Sequence, residues 1–145
     1  MQTNIAEQGA KLDPQVVGNV GLYYTCYRLS MLGWNVMPTA RNAKGVDIVA
    51  YDRSATRYVG IQVKTLSKRP PVVLGKSLDK VMGDFWVIVT RIATGSPQTF
   101  VLLPEEVRDM ARFYGKDYFL DPKAYGQDRF SEAFDRIGTS EGGAL

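Results

Sequence analysis

Histidine is absent from the 145 residues. Its absence removes Ser-His-Asp and Cys-His catalysis, histidine general bases and most zinc sites in one step. Cysteine occurs once, as Cys26. A lone thiol closes no internal disulfide, its apolar neighbours fit a small buried hydrophobe, and a reduced, cytoplasmic setting is expected. Long apolar runs are missing too: the longest, Phe85-Trp86-Val87-Ile88-Val89, falls far short of the ~20 residues that cross a bilayer. The N-terminal stretch carries Glu7 and Asp13 and no signal-peptide pattern, so no membrane partner is expected. Charge is nearly balanced, with 18 basic and 15 acidic residues giving +3. Any chemistry must therefore use carboxylates, amides, lysine or a bound ion.

What is present is ordinary globular material, 45% hydrophobic and 23% charged. The length is close to that of one typical domain and allows roughly 70% of the unfolded surface to be buried. The expected organisation is a flexible arm over 1–13, a single domain over 14–137 and a disordered tail over 138–145. Positive charge is local. Lys64, Lys68, Arg69, Lys76 and Lys80 against Asp79 make one segment +4 and leave the rest of the chain at −1.

Asp13-Pro14 predicts a helix start, with a mostly buried helix from Val16 to Leu32 and Gly33 beyond its end. Strands are predicted at 34–37, 46–52, 57–65, 85–92 and 99–103. A helical turn is expected at 77–82, a helix from Pro104 to about Tyr114, and a last helix carrying Phe130, Ala133, Phe134 and Ile137. The sum is an α/β domain, a mixed four- to five-stranded sheet flanked by helices.

The second and third strands, joined by Arg53-Ser54-Ala55-Thr56, read as a hairpin. Pairing Asp52 with Arg57 sets Val46 opposite Val63, Ile48 opposite Ile61 and Ala50 opposite Val59, so one face is wholly apolar. The other face then holds Asp47 against Gln62, Val49 against Gly60 and Tyr51 against Tyr58, with Lys64 two residues beyond Gln62. A hard divalent cation could take the Asp47 carboxylate, the Gln62 side-chain carbonyl and the Val63 backbone carbonyl as ligands. It would acidify a bound water and neutralise phosphate charge, and Lys64 could steady the developing negative charge.

Gly45-Val46-Asp47-Ile48-Val49-Ala50-Tyr51 followed by Tyr58-Val59-Gly60-Ile61-Gln62-Val63-Lys64-Thr65 resembles the core motif of the PD-(D/E)XK nuclease superfamily, in the variant with glutamine for the second acid. Gly18 through Val36 resembles the first helix and strand of restriction-endonuclease-like domains, such as Holliday-junction resolvases and intron-type homing endonucleases. Asp84-Phe85-Trp86-Val87-Ile88-Val89 and Phe100-Val101-Leu102-Leu103-Pro104 resemble the later core strands. The resemblance implies a restriction-endonuclease-like fold and a nuclease that hydrolyses DNA phosphodiester bonds with Mg2+ or Mn2+. Asp47, Gln62 and Lys64 would be catalytic, and Asp47, Gln62 and the Val63 carbonyl would be metal ligands.

Many relatives bring a glutamate from the first helix, and the matching position here is Leu22. Asp47 is then the only carboxylate of the inferred site, the ion is weakly held, and Asp84 is the best placed acid to supplement it. The alternative is a degenerate nuclease-fold module that binds nucleic acid or a protein partner without cleaving. Arg41, Lys44, Lys68, Arg69 and Lys76 are candidate phosphate contacts to DNA, with solvated loops as the competing reading. RNA is not separated from DNA by the sequence. Tyr23, Tyr24 and Tyr27 fit base stacking, core packing or a dimer contact, and cleavage of both strands implies a homodimer.

Overall fold

The most apolar segment of the chain becomes an interior strand, buried on both faces by two separate cores. The computed structural model describes residues 12–40 and 45–138. Arg41, Lys44, Glu7 and nearly all of the expected arm and tail lie outside the described residues. The main sheet runs in the order β1-β2-β3-β5-β6, with β1 (Asn35–Pro38), β2 (Ile48–Tyr51), β3 (Tyr58–Thr65), β5 (Phe85–Thr90) and β6 (Gln98–Leu102). Only β3 and β5 are parallel; the other neighbours are antiparallel. The expected mixed sheet of an α/β fold is thus present, with five strands.

The hairpin register is the one the alternation predicts, with Ile48 opposite Ile61, Val49 opposite Gly60, Ala50 opposite Val59 and Tyr51 opposite Tyr58. Asp52 organises its loop by accepting from the Thr56 and Arg57 backbone N–H groups at 2.8 and 3.1 Å. The Arg57 N–H foremost, with those of Thr56, holds this carboxyl below its usual range.

One core joins Ile48, Ala50, Val59, Ile61, Val87 and Val89 to Leu29 of α1 (Pro14–Met31) and to Phe134 and Ile137. The other joins Trp86, Ile88, Phe100 and Leu102 to Val107, Leu120, Tyr125 and Phe130. Alternate residues of β5 feed opposite cores, which explains its unbroken hydrophobicity. Helix α1 carries Arg28 as its single charge and sits close to β3. A Cβ at Gly21 would lie 2.7 Å from Thr65 Cβ, so rotating the threonine gives no relief. Gly21→Ala is expected to cost about 1–3 kcal/mol by overpacking. An unchanged urea midpoint would show that α1 rides farther from the sheet.

At 77–82 a single turn forms, Val81 N–H donating to the Leu78 carbonyl at 3.1 Å. Two helix expectations are corrected. The helix begun at Pro104 stops as α2 (Pro104–Met110), and Arg112–Tyr114 becomes β7. Gly115, at φ +67°, turns β7 back onto β8 (Asp117–Leu120), which also pairs with β4 (Val72–Gly75). These three strands form a second sheet that the sequence pattern did not announce. The last helix is replaced by two short 3-10 turns, Asp128–Phe130 and Phe134–Arg136, beyond α3 (Pro122–Tyr125). Phe130 enters one core while Ala133, Phe134 and Ile137 enter the other, a division that one helical face cannot make. Tyr24 packs against the first core, but Tyr23 and Tyr27 are 62% and 59% exposed. Core packing is therefore wrong for those two. Cys26 is half-buried, and burial pushes its thiol pKa up.

Candidate functional site

Asp47 stands where β2 leaves the ladder. Its N–H donates to the Ile61 carbonyl at 2.8 Å, while its own carbonyl accepts from Thr39 at 2.9 Å on the β1 side. The two main-chain groups thus turn to opposite neighbours. The Val63 N–H is satisfied instead by the Asp47 carboxylate, Oδ2 accepting at 2.7 Å. A strand end that would otherwise strand a backbone donor is closed by a side chain, which fixes the carboxylate against β3.

That carboxylate lines a cleft of about 330 Å³ together with Val63, Lys64 and Thr65 of β3, Thr39 and Ala40, and Gln15, Gly18, Asn19 and Leu22 of α1. Lys64 is half-buried, and its Nζ lies 5.8 Å from the centre of the Trp86 ring. Indole and strand together restrain the ammonium. Of the predicted site residues, Asp47, Val63 and Lys64 line this cleft, the Lys64 ammonium resting on the Trp86 side of the sheet.

Gln62 does not line it. Its side chain is only 7% exposed, and Oε1 accepts from the Met82 N–H at 3.1 Å. The amide thereby ties the 78–84 loop to β3, and the Trp86 indole reinforces the loop by donating to the Met82 carbonyl at 3.1 Å. Asp84 is engaged elsewhere: its Oδ2 accepts from Gly60 N–H at 2.7 Å and its own N–H donates to the Gly60 carbonyl at 2.7 Å. Those bonds clasp the start of β5 to β3, and Asp84 does not line the Asp47 cleft. Among the described residues, no three Asp, Glu or Cys side chains gather as a metal-holding group.

Lys68 and Arg69 line an adjoining cleft of about 690 Å³, which shares Thr65 with the first. Lys76 follows β4, is exposed, and lines neither cleft. Sequence reasoning missed Gln15, Asn19 and Thr39. The signal for the first two was available, since Gln15, Asn19 and Leu22 are spaced to share one face of a helix. Leu22 does line the Asp47 cleft.

The oxygen donors suit a hard cation held loosely: one carboxylate, the Val63 carbonyl and neutral amides of α1. Among the described residues Lys64 is the one cationic residue that lines the cleft, with its ammonium turned toward Trp86 of the second core. No protein-family model and no curated protein sequence matches the chain. The structure is similar to that of a bacterial homing endonuclease, I-Ssp6803I, with a TM-score of 0.59 over 87% of this chain and 93% of that one, at 16% sequence identity. At that identity the likeness is one of architecture, and the architecture is a nuclease-like α/β fold.

Proposed function

We propose that the chain is a PD-(D/E)XK-type nuclease that hydrolyses DNA phosphodiester bonds with Mg2+ or Mn2+. The observation that carries this reading is the Asp47 carboxylate, fixed by the Val63 N–H and sharing one cleft with Lys64. Asp47 and the Val63 carbonyl would hold the metal, whose chemistry is to acidify a bound water and offset phosphate charge. Lys64 stabilises the charge that develops on the phosphate. Gln62, outside the cleft, keeps its Met82 bond and holds the neighbouring loop against β3. Lys68 and Arg69, in the adjoining cleft, hold backbone phosphates of the same strand. A homodimer would bring two such sites to a duplex.

Supercoiled plasmid tests this directly. Wild-type protein with Mn2+ is expected to nick it, EDTA to stop the reaction, and Lys64→Ala to slow it roughly 10²-fold. Plasmid that stays intact with the wild type would overturn the nuclease reading. The second reading, a nuclease-fold module that binds without cleaving, is favoured by Leu22 in the cleft and by the single carboxylate that the described residues bring there. Its signature is intact plasmid with salt-sensitive gel retardation.

A further inference from the structure

Helix α1 is apolar on both of its sides, and the described residues cover only one of them. The inner side buries Gly21, Thr25 and Leu29. The outer side leaves Val16 41%, Tyr23 62%, Tyr27 59% and Met31 70% exposed. Spacings of seven, four and four residues put these four side chains in one row along the helix. The single charge of α1 does not interrupt it: Arg28 Nη1 donates to Glu132 Oε2 at 2.7 Å, and the guanidinium lies 4.5 Å from the centre of the Phe134 ring. A helix that is hydrophobic all round belongs in an interior.

The row itself identifies its cover. It carries no cation, whereas stacking surfaces for nucleic acid work together with a positively charged groove. Tyrosine joins an apolar ring to a polar tip and is favoured at protein interfaces. Side-chain size is graded along the row, with Val16 and the exposed Asn19 in the first half and Tyr23, Tyr27 and Met31 in the second. Turned end for end about a twofold axis at Tyr23, the row therefore fits itself. Tyr23 meets its own copy, Tyr27 lies on Asn19 of the second copy, and Met31 lies on Val16 of the second copy. Residues four apart make the ridges that interdigitate in the commonest class of helix pair. The area also suffices. The two tyrosines are aromatic side chains of roughly 200 Å² each, and with Met31 and Val16 the row offers on the order of 500 Å². Two copies bury about 1,000 Å² in total, the size at which specific interfaces begin.

We propose that the outer row of α1 is the surface through which two copies of this chain pair, helix against helix and antiparallel. The consequence for the site is geometric. Gln15, Gly18, Asn19 and Leu22 line the Asp47 cleft from the flank of the same helix. A twofold axis that sets two antiparallel helices face to face keeps their corresponding flanks on one side. Both clefts then open to the same side of the dimer, roughly 15 Å apart along the helix direction, so that one duplex can reach both. That consequence rests on the nuclease reading above, whereas the pairing does not.

Sedimentation of the full chain in EDTA tests the pairing without metal or nucleic acid. Wild-type protein is expected to pass from monomer to dimer across the micromolar range. Tyr23→Glu, at an exposed position that meets its own copy, should weaken association roughly thirtyfold. Tyr23→Phe should leave it in place, and circular dichroism checks that each variant folds. Orientation is read by charge exchange: Val16→Glu and Met31→Lys should each weaken the dimer, and the double variant should regain most of the loss. Antiparallel pairing sets the new acid of one copy against the new base of the other, while parallel pairing sets like against like. A monomer at every concentration would overturn the proposal and leave the row to nucleic acid or another protein. A dimer indifferent to both Tyr23→Glu and Met31→Lys would overturn it too, as would a double variant no better than its parents. Any of these results with plasmid nicking intact would sink the pairing alone. A dimer that responds as expected but never nicks would sink the nuclease reading alone.

Discussion

Exchanging Asp47 for alanine is expected to cut Mn2+-dependent nicking by about 10³-fold and to cost the fold about 1–3 kcal/mol. The two losses have separate origins in one carboxylate. Among the described residues the charge is the only anionic side chain lining the cleft, so its removal leaves a divalent ion with neutral oxygens. Oδ2 is the acceptor for Val63 N–H at 2.7 Å, so its removal also leaves a partly buried backbone donor unmatched. Asp47→Asn divides them: an amide oxygen still accepts from Val63, but brings no charge. The asparagine variant should therefore melt near the wild type and nick nearly as poorly as alanine, with Mn2+ affinity by calorimetry falling in both. Wild-type nicking by folded Asp47→Asn would remove Asp47 from the chemistry and leave it a strand-end fastener.

Legibility in the sequence followed the range of the interactions. The hairpin register was readable because alternation with period two admits one pairing that keeps Ile48, Ala50, Val59 and Ile61 together. The strand from Phe85 was readable from composition alone. The second sheet was not: β4, β7 and β8 are three or four residues long, and β4 meets the β7–β8 hairpin across more than forty positions. Strands so short carry almost no periodic signal. The segment from Phe130 to Ile137 has helical spacing, yet tertiary contacts override it. Glu132, at φ +53°, donates its N–H to the Thr99 carbonyl, and its carboxylate accepts from Thr99 and Arg28.

The candidate site divides in the same way. Asp47 and Lys64 were visible as a spacing. The ladder ends at Asp47, however, so the regular face assignment that set Gln62 beside it does not extend that far. The side chains of α1 that line the cleft depend on how the helix docks, which Gly21 and Thr65 decide together. Arg69 looked like any loop cation, and only the packed structure places it over Phe100 with an idle donor.

Glu106→Ala is expected to be the most damaging single change to stability outside the hydrophobic cores, because three segments meet at one carboxylate. Leucine at position 103 has no polar side chain to cap α2, so only the reverse half of a capping box forms, with Oε1 accepting from Leu103 N–H at 2.7 Å. Arg136 delivers a two-pronged pair to Oε1 and Oε2 at 2.8 and 2.9 Å, and also donates to the Val101 carbonyl of β6 at 2.9 Å. Burial alone would raise the Glu106 pKa. The Arg136 and Leu103 bonds, with the nearby Arg129 charge, outweigh it and hold the carboxyl below the ordinary glutamate value. Removing the carboxylate leaves Arg136 half-buried and unpaired. A fully buried broken pair costs about 3–5 kcal/mol, and the partial exposure of both partners brings this to roughly 2–3. For a chain of this size the midpoint should fall by roughly 5–10 °C. The sign with pH follows from the lowered value. The carboxylate's contribution is complete above the ordinary glutamate range, near 4.5, and is lost as pH falls through the folded pKa. Glu106→Gln retains an acceptor for Leu103 and lacks the titration, so its stability gap to the wild type should narrow below about pH 4.5. A gap that stays constant through the acid range would show that Glu106 acts through shape rather than charge.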